Sequence, residues 1–212
     1  MATEILKLGG IYKTEWDDRP YRVIGFDKIE VFYDCLWPHD NSWTFSGNFN
    51  RKCYFYRTSS KLFAEKSTLL EVLPLSDEEQ IVFRSDLPHR ICRTKELCWN
   101  DFTQSTYKNF KLKAIETLDK SFLGQKLLTD KIILIPCGNQ GGLKKGTVLT
   151  ANNSTYFECT ELIWKAKELQ EAVNTEISNG IGIYRMGFQQ RLPSFKIGEY
   201  IDAAGLLKEY EL

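Results

Sequence analysis

The sequence predicts an α+β protein in two parts: a small antiparallel β-barrel of SH3-like shape over residues 1–75, followed by an α/β part over residues 76–212. Three observations carry this. Aromatic residues crowd into one stretch, with 13 of the 28 lying between Tyr12 and Tyr56. That stretch breaks into short runs of β-branched and aromatic residues separated by turn chemistry. Beyond it the apolar residues recur at helical spacing on either side of one continuous apolar run.

In chain order, Trp16-Asp17-Asp18-Arg19-Pro20 is turn chemistry ahead of a first strand, Tyr21 to Phe26. Asp27-Lys28 makes a tight reversal into a second strand, Glu30 to Trp37. Pro38 to Ser42 closes that run before Trp43-Thr44-Phe45, and Lys52 to Arg57 supplies a further strand after Gly47-Asn48-Phe49-Asn50. Four or five strands within about 50 residues is the spacing of a small barrel or a strongly curved sheet. The acidic Ser76-Asp77-Glu78-Glu79-Gln80 is a loop or a helix start and marks the boundary between the parts.

In the second part, Tyr107, Phe110, Ala114, Ile115, Leu118 and Phe122 share one helical face, with Ser105 or Thr106 as cap and Gly124 as stop. Lys131 to Cys137 is a run suited to a strand covered on both faces. A helix over about 160–173 places Leu162, Ile163, Ala166, Leu169 and Val173 together behind a Thr160 cap. Ile181 to Arg185 reads as a strand, and Ser194 as the cap of a short last helix carrying Ile197, Tyr200 and Ile201 up to Gly205. Strand, helix, strand in that order predicts a small α/β layer with parallel geometry.

Composition narrows the function classes. The 42% hydrophobic, 13% aromatic and 26% charged residues exclude a disordered, collagenous or membrane-embedded chain. The 28 basic and 28 acidic residues balance, and they balance in each stretch, 10 against 10 in residues 1–75 and 9 against 9 in both 76–130 and 131–212. Strong nonspecific phosphate binding through bulk charge is therefore disfavoured. No apolar run approaches about 18 residues and the start lacks a basic-then-apolar order, which predicts a cytosolic protein. Its six scattered cysteines then read as ordinary thiols, with no zinc-type Cys-x2-Cys pair and no implied metal or cofactor.

Four features could carry chemistry. Ser85 to Lys95 holds Asp86, which could orient His89 as a base, with Arg90 and Arg93 to hold an anion. From Arg84 to Lys113 seven basic residues face three acidic ones, the one local basic excess, which runs on into Lys108, Lys111 and Lys113. The glycine-rich loop from Gly138 offers Gly141, Lys144 and Lys145 to a phosphate, but it matches neither a P-loop nor a dinucleotide fingerprint, and a surface hairpin is the simpler reading. Trp16 and Trp43 sit beside turn residues and are the preferred exposed rings, of the kind small barrels use as platforms for bases, modified cations or peptides. Together these predict a binding protein recognising nucleic acid or a nucleotide-like anion through barrel aromatics and the basic patch. The alternatives are an enzyme of hydrolase or nuclease type on a phosphorylated or anionic substrate through Asp86, His89 and the Gly138 to Lys145 loop, and a protein-interaction or regulatory protein.

Overall fold

The computed structural model describes residues 6–98, 106–138, 142–173, 177 and 179–202. Their elements run β1 (Gly10–Thr14), β2 (Tyr21–Phe26), β3 (Glu30–Trp37), β4 (Ser42–Trp43), β5 (Lys52–Tyr54), β6 (Tyr56–Ser59), α1 (Ser60–Lys66), β7 (Ser67–Val72) and α2 (Asp77–Phe83). They continue β8 (Arg90–Thr94), α3 (Tyr107–Thr117), α4 (Lys120–Leu123), β9 (Lys126–Leu127), β10 (Lys131–Ile135), β11 (Thr147–Thr150), β12 (Phe157–Glu158), α5 (Cys159–Glu171), β13 (Ile181–Gln189) and β14 (Leu192–Gly198). The architecture is mixed α/β, with more sheet than helix. Among the described residues no helix is long and apolar enough to cross a membrane. Contacts divide the chain into two compact units: one holds the described residues up to His89 with Gly187–Arg191 and Asp202, the other those of Arg90–Met186 and Leu192–Ile201.

The first unit is built on an antiparallel sheet of order β4-β3-β2-β1-β7, with β6 also on β3. β2 and β3 take the residues their alternation predicts. The Asp27 carboxylate sets the reversal by accepting from the Ile29 and Glu30 amides at 2.7 and 2.8 Å. The long β3 pairs twice on its outer edge, first with β6 from Glu30↔Ser59 to Tyr33↔Tyr56, then with β4 at Leu36↔Trp43 and Trp37↔Ser42. The predicted barrel is not closed: the sheet ends at β7 on one side and at β4 and β6 on the other, with no pairing between those edges among the described residues. The physical reason lies after β6, where the Ser59 hydroxyl accepts from the Leu62 amide and caps α1 at once, so helix separates β6 from β7.

The predicted strand Lys52 to Arg57 divides into β5 and β6, whose partners belong to different sheets. Between them Phe55 turns into a cluster with Ile24, Phe32, Phe45, Phe49, Leu75, Val82, Phe83 and Phe188. The other face of the sheet packs Tyr12, Tyr21, Val23, Val31, Cys35 and Phe63. Six of the 13 aromatic residues between Tyr12 and Tyr56 are thus buried: Tyr12, Tyr21, Phe32, Phe45, Phe49 and Phe55. The Ser76 segment resolves as a helix start with a full capping box to Glu79, and α2 adds Val82 and Phe83 to the first unit.

β5 pairs with the end of β13 through Gly187↔Tyr54. Gly187 has φ +155, and an added Cβ would fall inside van der Waals contact of the Cys53 carbonyl oxygen. Gly187→Ala is therefore expected to destabilise by about 2 kcal/mol, read as a lower urea midpoint with unchanged slope.

In the second unit β10 lies between β11, antiparallel, and β14, parallel from Ile133↔Ser194 to Ile135↔Lys196. The parallel strand to β10 is thus β14 rather than Ile181 to Arg185, which sits one place further out as part of β13. The predicted last helix is this strand β14. Pairing on both edges overrides the Ser194 cap signal, and Phe195 and Ile197 are buried two residues apart, as a strand requires. The predicted helix over Tyr107 to Phe122 is interrupted after Thr117: the Asp119 carboxylate accepts from the Phe122 amide at 2.8 Å and caps a fresh turn, α4. α5 and the strand at Ile181 stand where the sequence puts them, with Glu158 rather than Thr160 preceding the first turn of α5.

Candidate aromatic pocket

The turn between β1 and β2 is organised by Asp17. Its carboxylate accepts from the Arg19 amide at 2.8 Å, from Arg19 Nε at 2.9 and 3.0 Å, and from the Tyr21 hydroxyl at 2.7 Å. This bracing fixes the two residues that flank it. Trp16 sets its ring edge-on to buried Phe63, at 6.0 Å between centroids, and remains 44% exposed. The Arg19 guanidinium lies over the Trp37 ring at 5.1 Å.

β3 supplies the floor and a wall. Tyr33, Cys35 and Trp37 occupy alternate positions and so share one face. Register places Tyr21 opposite Cys35 and Tyr56 opposite Tyr33. Tyr21 meets Tyr33 edge-on at 5.0 Å and 78°, while Tyr56 stacks on Tyr33 at 5.9 Å and 24°. Trp37 is anchored by its indole N–H, which donates to Thr44 Oγ1 at 3.0 Å, and that hydroxyl donates to the Cys35 carbonyl. The result is a pocket of about 350 Å³ lined by Trp16, Arg19, Tyr21, Tyr33, Cys35, Trp37 and Tyr56. Trp37 and Tyr56 are 36% and 39% exposed, so three large rings stay open to solvent around it.

Its electrostatics are those of a neutral, electron-rich surface. The Arg19 side chain holds the Asp17 carboxyl well below the usual range, and Asp17 holds the guanidinium protonated in return. Burial, reinforced by the bond to Asp17, raises Tyr21, and burial pushes Tyr33 up to about 12 and the Cys35 thiol above its ordinary value. At neutral pH the phenols and thiol keep their protons and the one charged pair cancels. Such a site presents ring faces and no activated nucleophile or base.

Of the residues singled out from the sequence, Trp16 belongs to this pocket. Trp43 does not line it: half-buried, it carries the Arg22 guanidinium 4.7 Å over its ring and lines a separate depression with Trp37, His39, Asp40 and Ser46. Asp86 is exposed and held in a fork by Arg84, with 2.8 Å to each oxygen. His89 is buried, stacked on Phe32 at 3.9 Å, with Nδ1 3.7 Å from Asp27 Oδ2.

Arg90 and Arg93 stand half-buried on β8, and the Arg93 guanidinium donates to the Ile201 carbonyl and covers Tyr200 at 5.3 Å. Lys108, Lys111 and Lys113 are exposed on α3. In the glycine-rich loop the Gly138 amide donates to the Gly142 carbonyl at 2.6 Å and the Lys144 amide to the Pro136 carbonyl at 3.4 Å, so those donors are spent on a hairpin. Lys144 and Lys145 are exposed; Gly141 lies outside the described residues. Among the described residues no three His, Cys, Asp or Glu side chains form a metal-binding group.

Tyr21, Tyr33, Tyr56 and Trp37 were not among the preferred site residues. Alternation of Tyr33, Cys35 and Trp37 was the available signal, whereas Tyr56 joins them only through the β3–β6 register. Comparison with family models, with curated proteins and with solved structures returns no match for this chain.

Proposed function

We propose that this is a binding protein whose first unit holds its ligand among Trp16, Tyr21, Tyr33, Trp37 and Tyr56. The observation that supports it is the convergence of these rings, from the β1–β2 turn, β2, β3 and β6, on one cavity where the Arg19 charge is neutralised by Asp17. A sheet of this size has no packing need to leave Trp16, Trp37 and Tyr56 exposed side by side, and clustered exposed aromatics mark interaction sites. The strand path, with a short helix before β7 and β7 returning beside β1, supports reading the unit as an SH3-like barrel left open, with the pocket at the end of β3.

Titration of choline, adenosine monophosphate and a proline-rich peptide, followed by tryptophan fluorescence, tests the proposal. At least one is expected to quench the native protein, and Trp37→Ala and Trp16→Ala to abolish the response while shifting stability by less than about 1 kcal/mol. Silence across the panel overturns it.

Nucleic acid or nucleotide binding is the second reading, favoured by the exposed lysines Lys108, Lys111 and Lys113 on α3. Its expected result is retention of single-stranded nucleic acid on a filter at low salt and loss at high salt; no retention at micromolar protein rejects it. Catalysis through Asp86, His89 and the glycine-rich loop has less support, because His89 is stacked in the core and the Gly138 and Lys144 amides are engaged by backbone carbonyls.

A further inference from the structure

We infer that the ligand of the aromatic pocket is a methylated ammonium cation, and that Arg19 occupies part of its place in the free protein. This rests on the pocket reading above and adds the ligand's chemical class.

Ring geometry argues first. A nucleobase needs parallel faces to lie between, together with in-plane hydrogen-bond partners. Here Tyr21 stands at 78° to Tyr33, Tyr56 at 24° to Tyr33, and Trp16 and Trp37 come from separate segments. Differently inclined faces suit a rounded group that every ring can face, and the electron-rich faces of Trp and Tyr attract positive charge.

Hydrogen bonding argues second, and separates one cation from another. The carboxylate bonded to two of the lining residues, Asp17, is already committed to the Arg19 fork, the Arg19 amide and the Tyr21 hydroxyl. An unmodified ammonium entering the rings would surrender the water on three N–H donors without replacement, which is costly. A trimethylated nitrogen has no donor to satisfy and sheds water cheaply, so the ring attraction is retained.

The third observation is that a cation is already there. Arg19 places a guanidinium, itself weakly hydrated, 5.1 Å over Trp37 and leaves Trp16 and Tyr56 partly open to solvent beside it. Its side chain is 35% exposed and can swing outward. Doing so would bare the Trp37 face and leave the Asp17 charge to attract the cation from outside the ring lining, its two oxygens still held by the Arg19 amide and the Tyr21 hydroxyl.

The test uses the full chain and tryptophan fluorescence, with five probes: choline, its uncharged isostere 3,3-dimethylbutan-1-ol, a short peptide carrying either trimethyllysine or lysine, and adenosine monophosphate. Choline or the trimethyllysine peptide is expected to bind at least about tenfold more tightly than the uncharged or unmethylated counterpart. Tighter binding of the peptide than of choline assigns a protein-borne cation, and the reverse a small molecule; both support the inference. Arg19→Ala is expected to strengthen cation binding several-fold and Asp17→Asn to weaken it. Equal affinity for the isostere, or tighter binding of adenosine monophosphate, overturns the cation class while leaving the pocket in place. Loss of binding in Arg19→Ala, with its unfolding midpoint unchanged, overturns the role given to Arg19. No response to any of these probes overturns both this inference and the pocket.

Discussion

Arg22→Met is expected to destabilise the protein by about 3–5 kcal/mol, measured by urea unfolding, because it leaves two buried carboxylates without their cation. Arg22 is 2% exposed on β2. Its guanidinium pairs with Glu79 on α2, lies 3.9 Å from Asp34 on β3, and reaches Ser46 Oγ at 3.4 Å. Ser46 Oγ in turn donates to Glu79 at 2.6 Å, the Ser76 amide donates to Glu79 at 2.9 Å, and the Cys35 and Phe45 amides donate to Asp34. One side chain thus ties two strands, the turn after β4 and α2. Glu79→Gln added to Arg22→Met is expected to recover part of the loss by removing one stranded charge.

The same group gives a pH dependence of known sign. Burial pushes Asp34 up to about 7 despite its hydrogen bonds and the nearby guanidinium. The folded protein therefore holds this proton more tightly than the unfolded chain. The contribution is fully present below the ordinary carboxylate value near 4 and is lost as pH rises through 7. Glu79 runs the other way: burial raises it, but the bonds from Arg22, Ser46 and Ser76 outweigh that and hold it low, so its contribution is lost on acidification. Asp34→Asn is expected to remove the decline between about pH 4 and 7 while preserving the acid-side loss. An unaltered slope in that window would show that Asp34 does not titrate there.

What the sequence disclosed about the fold follows from how local the cause was. β2 and β3 are legible because alternation, β-branched content and the Asp27 turn act within a few residues. α2 is legible as a helix start from its capping box, but its allegiance to the first unit depends on Phe83 meeting Phe45, Phe49 and Phe188, which no local pattern encodes. β14 reads as a helix cap until β10 and β13 pair with it. The site divides in the same way. Trp16 announces itself by sitting in a turn, whereas Trp37, at the end of a strand, is not singled out although its spacing from Tyr33 puts both on one face. Trp43, equally turn-flanked, is diverted to the Arg22 guanidinium by a salt-bridge network spread over Arg22, Asp34 and Glu79.

Phe83→Ala is expected to cost about 3–5 kcal/mol, a large share of the stability of a domain this size. The ring is 1% exposed and lies 5.9–6.4 Å from the rings of Phe45, Phe49, Phe55 and Phe188, mostly edge-on. Deleting it removes one buried aromatic and opens a cavity among four others that are held by separate segments, the loop after β4, the link between β5 and β6, and β13, and cannot all move in. Phe26→Ala is the control: it shares the sheet, is 41% exposed, and is expected to change stability by less than about 1 kcal/mol. Phe83 packs on the face of the sheet that carries Phe32, whereas the pocket is lined by Tyr33 and its alternate neighbours on the other face. The folded fraction of Phe83→Ala should therefore keep the native affinity for the ring-bound probe while the unfolding midpoint drops. An affinity that falls in step with stability would mean that the two faces are coupled, and that the pocket is not an independent feature of the sheet.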